Sequence, residues 1–388
     1  MRHYLLTPGP TPIPLEVAFK EALPIFHHRT SKFAAIYKNV VEELKYIFKT
    51  KNDVYILAAS GTGAMETAVI NLLSPGDEII VASCGKFGER WTDIARRCGV
   101  NVISVSVEWG KAIVPAAIEK TLKKNPDIKA VYTTFTETST GVVNDIKRIG
   151  EIVSKTNAVL IVDAISGIVG QEFRTDDWKV DAAVSSSQKG FMVAPGLSFI
   201  TLSDKAWELV KTSRIPKFYF DITKYKNYYI KNETPFTSPV TLITSLQESL
   251  RLIKKKGLTD IWEECKLLAK AARAGIKALG LELFSEIPCE VVTSASVPGE
   301  IGENIIKTLK EQYEVYIGGG QGALKGKIIR FSHMGDIGKA DLIVGFACLE
   351  MVLIKLGIKI EKGKAVAAIE EEFLNSEANT LQKLKIEV

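Results

Sequence analysis

The feature that most constrains the fold of this 388-residue sequence is a regular alternation of short apolar runs and amphipathic segments, which begins near residue 54. The apolar runs are rich in valine and isoleucine and predict buried strands, whereas the longer segments between them have helical periodicity. Strands that are almost continuously apolar are typical of a parallel sheet covered by helices on both faces. We therefore predict an α/β fold whose core is a mostly parallel sheet of seven strands.

The elements of this sheet can be assigned from the sequence. The predicted strands are 54–58, 78–82, 102–107, 130–134, 158–162, 180–184 and 196–202, and the helices between them are 64–73, 87–98, 114–124 and 145–155. Two further helices, 15–23 and 32–48, precede the sheet. The last strand is a candidate for antiparallel pairing with its neighbours.

The second half of the chain predicts a different organisation. A single hydrophobic core rarely extends beyond about 250–300 residues, so a second domain is expected. After residue 212 the alternation stops, and an irregular aromatic segment (218–229), two long helices (242–256 and 260–279) and strand candidates at 290–293, 315–317 and 328–332 follow. We therefore predict an N-terminal arm (1–20), a large domain (21–257) and a small α+β C-terminal domain (258–388) with a helical tail.

The arm contains an unusual density of proline. Residues 7–14 read Thr-Pro-Gly-Pro-Thr-Pro-Ile-Pro, and proline fixes φ and lacks an amide donor, so this segment cannot form a helix or a central strand. It predicts an extended arm that lies over the protein surface or over a partner subunit. The polar segment 27–30, between the first two helices, is either a solvated loop or part of the mouth of a site.

Two predicted strands end close to residues with useful chemistry. The strand 158–162 is followed by Asp163, and the strand 180–184 is followed by three serines, Gln188 and Lys189. Ligands of α/β folds bind at the carboxyl edge of the sheet. An aspartate and a lysine at that edge suit pyridoxal phosphate (PLP), because the lysine can form a Schiff base and the carboxylate can keep the pyridine nitrogen protonated. Taken alone, Lys189 could equally be a surface lysine.

A glycine-containing turn predicts a phosphate site. Ser60, Gly61, Thr62 and Gly63 lie between a predicted strand and a helix, where free amides at the helix N-terminus favour an anion. A dinucleotide site would require a third glycine and an acidic residue at the end of the next strand. That strand ends in Val-Ala-Ser, so a single phosphate is favoured over a dinucleotide or a plain turn.

Other groups are predicted at the same edge. Phe87 follows the second strand and could stack on a cofactor ring or belong to the core. The segment 137–141 (Glu-Thr-Ser-Thr-Gly) follows the fourth strand and offers hydroxyl groups. Arg330 alternates with apolar neighbours in the strand 328–332, where a guanidinium can bind a carboxylate through two hydrogen bonds or take part in a buried ion pair.

Composition excludes several other classes of protein. The net charge of +5 is small for this length and is not concentrated in a basic stripe, so nucleic acid is not a predicted partner. No apolar stretch approaches the ~20 residues of a membrane span, and no signal peptide is predicted. The cysteines are five, scattered and without a CxxC pair, which favours reduced thiols and a cytoplasmic location. The four histidines lack zinc-ligand spacing, so no catalytic metal is predicted.

The combination of these motifs resembles the class V aminotransferases. Ser-Gly-Thr-Gly, Gly-Lys-Phe-Gly, Glu-Thr-Ser-Thr-Gly, the Asp163 strand, Ser-Gln-Lys, Thr-Ser-Pro-Val and Lys-Ile-Ile-Arg occur in the order typical of that family, from residue 8 to about residue 353. The sequence is most similar to the alanine–glyoxylate and serine–pyruvate branch. The resemblance implies a fold-type I PLP homodimer with shared active sites, and a ping-pong transfer of an amino group from alanine or serine to glyoxylate or pyruvate.

The resemblance also implies a role for each motif residue. Lys189 forms the Schiff base with PLP and transfers the proton, Asp163 pairs with the ring nitrogen, and Arg330 and Gly9 bind the substrate. The remaining cofactor residues are Phe87 and Thr138 at the ring, Ser60, Gly61, Thr62 and Gln188 at the phosphate, and Thr237 from the other subunit. Phe87 stands where animal enzymes of this branch have tryptophan, and Thr234 where they have a phosphate-binding tyrosine.

Three alternatives remain open within this interpretation. One is another class V activity, namely a phosphonate- or aspartate-type aminotransferase. The second is a lyase such as a cysteine desulfurase, which would require a nucleophilic cysteine near Arg330; residues 318–327 contain none. The third is a non-catalytic accessory subunit derived from an aminotransferase, which would be expected to lose the lysine or the aspartate. The apparent lack of a second cationic group beside Arg330 favours small neutral amino donors.

Overall fold

The computed structural model describes residues 3–386, and it contains two larger β-sheets with helices packed against each. The strands are β1 (Tyr4–Leu6), β2 (Val54–Leu57), β3 (Glu78–Ser83), β4 (Asn101–Ser106), β5 (Ala130–Thr134), β6 (Thr136–Glu137), β7 (Val142–Val143), β8 (Val159–Asp163), β9 (Ala182–Ser186), β10 (Ser198–Leu202), β11 (Val292–Ser296), β12 (Val315–Gly319) and β13 (Ile328–Ser332). Residues 1, 2, 387 and 388, which belong to the predicted arm and small domain, lie outside the described residues.

Thirteen α-helices are assigned within the described residues. They are α1 (Leu15–Glu21), α2 (Ser31–Phe48), α3 (Gly61–Leu72), α4 (Lys86–Arg97), α5 (Pro115–Lys124), α6 (Ile146–Val153), α7 (Asp204–Thr212), α8 (Ile222–Tyr229), α9 (Val240–Lys256), α10 (Leu258–Ala278), α11 (Gly302–Tyr313), α12 (Lys339–Lys355) and α13 (Lys364–Ile386). None of the helices described between residues 3 and 386 has both the length and the apolar character needed to cross a bilayer.

The large sheet has the predicted seven strands, in the order β2-β10-β9-β8-β5-β3-β4. β10 pairs antiparallel with both β2 and β9, and the remaining pairs are parallel, so the prediction of a mostly parallel sheet is confirmed. Alternate residues of one strand enter different cores. In β8, Leu160 and Val162 pack in one core, whereas Val159 and Ile161 pack in the other. Burial on both faces explains why these strands are continuously apolar in the sequence.

The smaller sheet has the order β1-β12-β13-β11 and packs with the C-terminal helices in a third core. Its strand β13 carries Arg330, and β12 runs antiparallel beside it with Gly318 opposite Arg330. The predicted strand at 290–293 was misplaced, since β11 covers Val292–Ser296. The boundaries proposed at residues 20 and 257 stay predictions.

The sequence did not predict strand β1 or helix α8, nor the short strands β6 and β7. β1, at the start of the predicted arm, pairs in parallel with β12 and so belongs to the small sheet. Its three residues are too few to show a periodicity. The segment predicted to be irregular contains helix α8, which begins at an Asp221 cap whose side chain accepts a hydrogen bond from the Thr223 amide. Its aromatic residues have modest helix propensity, and tertiary packing overrides that preference.

Candidate functional site

The carboxyl ends of the parallel strands bring the predicted residues to one edge of the large sheet. In the register of the sheet, Asp163 at the end of β8 is adjacent to Thr134 at the end of β5 and to Val184 near the end of β9. The loop after β9 carries Gln188 and Lys189, and the loop after β5 carries Thr138. The segments that follow β2 and β3 hold Ser60 and Phe87. This is the edge at which ligands of α/β folds bind.

Lys189 lies at the centre of this edge, and its Nζ donates a hydrogen bond to the carbonyl of Pro8. Burial lowers the pKa of Lys189 to about 8; the charge of Arg330 and, less strongly, that of Arg90 act in the same direction, while Asp163 opposes them. A lysine with this pKa has a substantial neutral fraction near neutral pH, whereas an ordinary lysine with a pKa near 10.4 does not. The amine is therefore available as a nucleophile and as a proton acceptor.

Asp163 is buried, and its Oδ1 accepts a hydrogen bond of 2.9 Å from the Ile165 amide. Burial raises the pKa of Asp163 to about 7; that hydrogen bond opposes the rise, the charge of Glu137 adds to it, and Arg90 and Lys189 oppose it. A cationic ring nitrogen beside the carboxyl group would favour its ionised form. The environment of Asp163 thus suits a partner that brings its own positive charge.

The turn before α3 has features that fit a phosphate group. Ser60 is the N-cap residue of α3, and no side chain caps this helix end. The Gly63 amide donates to the Ser60 carbonyl at 2.8 Å, which leaves the Gly61 and Thr62 amides for an anion at this edge. A Cβ atom on Gly61 would lie only 2.5 Å from Ile165 Cδ1 and 3.1 Å from Ser186 Oγ, so a larger residue would clash with the Ile165 side chain. The buried Oγ of Ser186 and Oε1 of Gln188 have no hydrogen-bond partner in the protein. Unsatisfied polar atoms beside a helix N-terminus are consistent with an anionic ligand.

The ring-binding residues predicted from sequence flank the same space. Phe87 lies in the first turn of α4, half-buried. Thr138 is buried, and its hydroxyl group shares a hydrogen bond of 2.7 Å with that of Ser166. A hydroxyl, an aromatic ring, a buried carboxyl, a lysine and a phosphate-compatible helix end are together the groups that PLP requires. The residues present therefore fit this cofactor, and their individual roles stay predictions.

Arg330 reaches this edge from the small sheet. Its side chain is buried. Among the described residues it has no ion-pair partner within 4 Å, so the buried ion pair considered as an alternative role for Arg330 is not formed. Nε and Nη2 donate to the carbonyl of Gly319, and Nη1 donates to the carbonyl of Thr138 at 2.6 Å. A guanidinium has five N–H groups, so two remain for a further acceptor. Burial lowers the pKa of Arg330 to about 10, and the nearby charge of Glu137 opposes that change.

Part of the N-terminal arm lies against the site of its own chain. The Thr11 amide donates to the carbonyl of Gln188 at 3.1 Å, and the Thr11 hydroxyl donates to the carbonyl of Lys189 at 2.8 Å. Gly9 has φ of +127°, and a Cβ there would clash with the Lys189 side chain. Gly9 is therefore placed beside the predicted Schiff-base lysine, and the arm forms a wall of the site as well as a surface segment.

Thr237 lies in the segment between α8 and α9 and is exposed. The neighbouring Thr234 is buried, and its hydroxyl bonds to the Phe236 carbonyl and to Ser238 Oγ, so it holds the segment in shape. The predicted contact of Thr237 with the phosphate of a second subunit stays a prediction. The segment 27–30 is tied to the same region, because Arg29 Nη1 lies 2.8 Å from the Glu233 carboxylate.

The structure also reveals two charged residues that the sequence analysis overlooked. Arg90 Nη1 donates to Thr62 Oγ1 at 3.0 Å, and its guanidinium lies 4.8 Å from the centre of the Phe87 ring. Arg90 is therefore a second cation at this edge, and whether it meets a substrate carboxylate stays a prediction. Helical spacing could have found it, because residues three apart share a helix face. The other residue is Glu137, which is fully buried between the start of α4 and the loop after β5.

No group of three or more histidine, cysteine, aspartate or glutamate side chains in the described part of the chain is arranged to hold a metal ion. The five cysteines are free thiols. Cys84 follows β3 at the site edge, but burial raises the pKa of its thiol to about 12, with the charge of Glu137 adding to the effect. A buried, protonated thiol is a poor nucleophile, so the geometry does not favour the desulfurase alternative.

Comparisons with known proteins agree on one family. Residues 4–333 match the family model described as aminotransferase class-V. The chain is 40% identical to the soluble hydrogenase 42 kDa subunit of Anabaena cylindrica, with 96% of this chain and 98% of that protein covered. It is 36% identical to the L-aspartate–glyoxylate aminotransferase of Paracoccus denitrificans, with 98% of each covered, and 34% identical to the serine–glyoxylate aminotransferase of Methylorubrum extorquens, with 95% of each covered.

Solved structures give the same result. The ureidoglycine–glyoxylate aminotransferase of Bacillus subtilis superposes with a TM-score of 0.91 at 32% identity, and 96% of this chain and 98% of that chain are covered. An alanine–glyoxylate aminotransferase from Nostoc sp. superposes with a TM-score of 0.88 at 28% identity, with 91% and 96% covered. The predicted fold-type I architecture is confirmed.

Proposed function

We propose, from the premise that this chain belongs to the class V aminotransferase family, that it transfers the amino group of a small neutral amino acid to glyoxylate or pyruvate. The chain is a PLP-dependent aminotransferase of the glyoxylate type, and the donor and acceptor are the proposed part. Alanine and serine are the proposed donors. Arg330 supports an amino acid substrate, because its two uncommitted N–H groups can bind an α-carboxylate. The choice of donor is supported by the names of a serine–glyoxylate and an alanine–glyoxylate relative.

The residues of the site have distinct proposed tasks. PLP, when bound, would supply an electron sink for the bond broken at the substrate Cα. Arg330 holds the substrate carboxylate and so fixes which bond at Cα points towards Lys189. Lys189 Nζ, with its lowered pKa, would accept the proton from the substrate Cα and would hold it for return to the substrate. Asp163 keeps the positive charge on the ring nitrogen through its carboxylate.

A second donor class is favoured by one observation. Arg90 is a second guanidinium at this edge, although it is engaged with Thr62 and Phe87. A cation there can also attract a side-chain carboxylate, so aspartate is the alternative donor. The accessory-subunit alternative is suggested by the hydrogenase name of a relative, yet the chain retains both Lys189 and Asp163.

A donor panel tests the proposed substrates. Purified holoenzyme is mixed with alanine, serine, aspartate or a larger neutral amino acid in the absence of acceptor, and the single-turnover change in cofactor colour is followed. The proposal expects rapid conversion with alanine or serine, and return of the original colour on adding glyoxylate or pyruvate. Conversion by aspartate alone would replace the proposed donor, and no conversion by any donor would favour the accessory subunit.

Arg330→Lys tests whether Arg330 binds the substrate carboxylate through two hydrogen bonds. Lysine keeps the positive charge but cannot supply two parallel N–H groups, so the substrate KM is expected to rise about 10- to 100-fold, as for the loss of a hydrogen bond to a charged group. The absorption spectrum of the resting holoenzyme should not change. Arg273→Lys is the matched control, because Arg273 is a partly buried arginine of the small domain that pairs with Glu290. An unchanged KM in Arg330→Lys would exclude binding of the substrate carboxylate by Arg330.

We also propose that the enzyme is a homodimer with shared active sites. Large apolar side chains are exposed on the N-terminal segment and near the segment that carries Thr237; they are Leu15, Phe19, Ile25, Phe218 and Ile230. Exposed apolar groups of this size are typical of surfaces that a partner covers. A second copy that covers them would bring its own exposed Thr237 to the phosphate end of the site.

Hybrid dimers test this assembly. Lys189→Ala and Thr237→Ala proteins are mixed under conditions of confirmed subunit exchange, after Thr237→Ala alone is shown to be impaired. Any clear gain in activity over both parent proteins supports a shared site, because one site of each hybrid dimer has both residues unmutated. No gain in the exchanged mixture would mean that each site is built within one chain.

The proposed location of the enzyme is the cytoplasm. Its support is the state of the cysteines, all five of which are free thiols with no disulfide partner. Reduced thiols are typical of cytosolic proteins.

A further inference from the structure

Two sequence motifs meet at one buried carboxylate. Glu137, the last residue of β6, is fully buried. Its Oε2 accepts hydrogen bonds from the amides of Phe87 at 3.1 Å and Gly88 at 2.8 Å, which lie in the first turn of α4. Its Oε1 accepts from the amide of Ser139 at 3.1 Å and from the Ser139 hydroxyl at 2.6 Å. Four donors converge on this one side chain.

The four donors favour an ionised carboxylate. The Lys86 amide donates to Ser139 Oγ at 3.0 Å, so the serine proton is free to point at Glu137, and every contact of the carboxyl group is then with a donor. Burial raises the pKa of Glu137, and the four donors oppose that rise. An ionised group that accepts several hydrogen bonds is stabilised even without an ion pair.

The glycines of the neighbouring motif make room for this side chain. A Cβ atom on Gly85 would lie 2.5 Å from Glu137 Cγ and 2.5 Å from Ser139 Oγ. Real Cβ atoms do not approach other heavy atoms so closely, so a larger residue at position 85 would displace the carboxylate. Gly-Lys-Phe-Gly and Glu-Thr-Ser-Thr-Gly are therefore one structural unit, joined at Glu137.

We propose that Glu137 is a positioning residue that fixes Phe87 and Thr138 on opposite parts of the cofactor site and supplies the negative charge that balances Arg330. The first link is the hydrogen bond to the Phe87 amide, and the second is the peptide bond to Thr138. The third is the Thr138 carbonyl, which accepts from Arg330 Nη1 at 2.6 Å. This inference rests on the proposed function, because it assigns to Glu137 a task within the same PLP site.

The charge of Glu137 acts on a defined group of neighbours. It raises the pKa of Asp163 and of the Cys84 thiol, and it opposes the lowering of the Arg330 pKa. Lys189 and Arg90 are the other charged groups of the site, and both act on Asp163. Removing one buried negative charge should disfavour protonated, cationic forms nearby and so lower their pKa values.

Glu137→Gln is the direct test, because glutamine keeps the shape but replaces one oxygen by an NH₂ group that must face an N–H or O–H donor. The holoenzyme variant is compared with the wild type in two measurements that need no substrate. We expect PLP to dissociate at least about 10-fold faster during dialysis, and the pH midpoint of the cofactor colour change to move to lower pH. Asp145→Asn is the matched control, since Asp145 is an exposed carboxylate that caps α6 through the Arg148 amide at 2.9 Å; both values should stay at the wild-type level.

Other outcomes of this test are equally informative. Wild-type dissociation and midpoint in Glu137→Gln would overturn the proposal, and faster dissociation with an unchanged midpoint would reduce Glu137 to a helix cap. If Glu137→Gln does not fold, Ser139→Ala removes one of the four donors and should give smaller changes in the same directions, whereas no change would overturn the inference. A wild-type protein that binds no PLP would instead refute the proposed function.

Discussion

Lys189→Ala protein is expected to bind PLP through the phosphate-binding turn but to lose the absorption band of the lysine-linked cofactor and nearly all turnover. The residue is proposed to act both as the point of attachment and as the acid–base group, and a positioned acid–base group alone contributes about 10²–10⁴-fold. Its lowered pKa of about 8 suits both tasks. Steady-state kinetics and absorption spectra of the purified variant measure the effect.

The control for this variant is Lys205→Ala. Lys205 is also partly buried and donates to backbone carbonyls, those of Thr156 and Ala158, but it does so at the amino end of β8, the opposite edge of the sheet. Its loss should leave the spectrum and the turnover intact. Lys189→Ala protein with wild-type turnover would exclude the assignment of Lys189.

Asp163→Asn protein is expected to fold and to bind PLP, yet to lose activity by about 10²- to 10⁴-fold. The asparagine cannot balance a positive charge on the ring nitrogen, and breaking a buried charge pair costs about 3–5 kcal/mol, at tenfold in rate for each 1.36 kcal/mol. The measurement is single-turnover reaction with alanine or serine, which isolates the proton-transfer step from substrate binding.

Asp181→Asn serves as the comparison for this loss. Asp181 precedes β9 at the amino edge of the sheet, where its carboxylate accepts from the Leu160 amide and the Ser203 hydroxyl. Its replacement should change stability and leave the cofactor spectrum unchanged. Near-normal single-turnover rates in Asp163→Asn would refute the electron-sink role of the pair.

The large sheet was predictable because its signal is local. Strands buried on both faces are continuously apolar, and each one ends where polar residues begin. The position of Asp163 and Lys189 at the carboxyl edge of the sheet therefore follows from the alternation of strands and helices. β1 was not predictable in this way, since three residues gain their structure from β12, more than three hundred positions along the chain.

Within the site, the sequence indicates which side chains have useful chemistry but not which hydrogen bonds position them. Asp163 and Lys189 were found because their side chains are unusual at strand ends. The role of Glu137 could not be predicted, because its partners include backbone amides at the start of a helix fifty residues earlier. Every residue except proline has such an amide, so the sequence does not show which amides bind a carboxylate. Arg90 is detectable from the sequence, because its spacing of three from Phe87 places both residues on one helix face.

The most direct test of the whole account is chemical trapping of the cofactor. The wild-type holoenzyme is treated with borohydride, which makes the lysine–cofactor linkage permanent, and the labelled peptide is identified by mass spectrometry. We expect one modified residue, Lys189, and a loss of activity in proportion to labelling. Stable labelling of a different lysine in the active protein would contradict it.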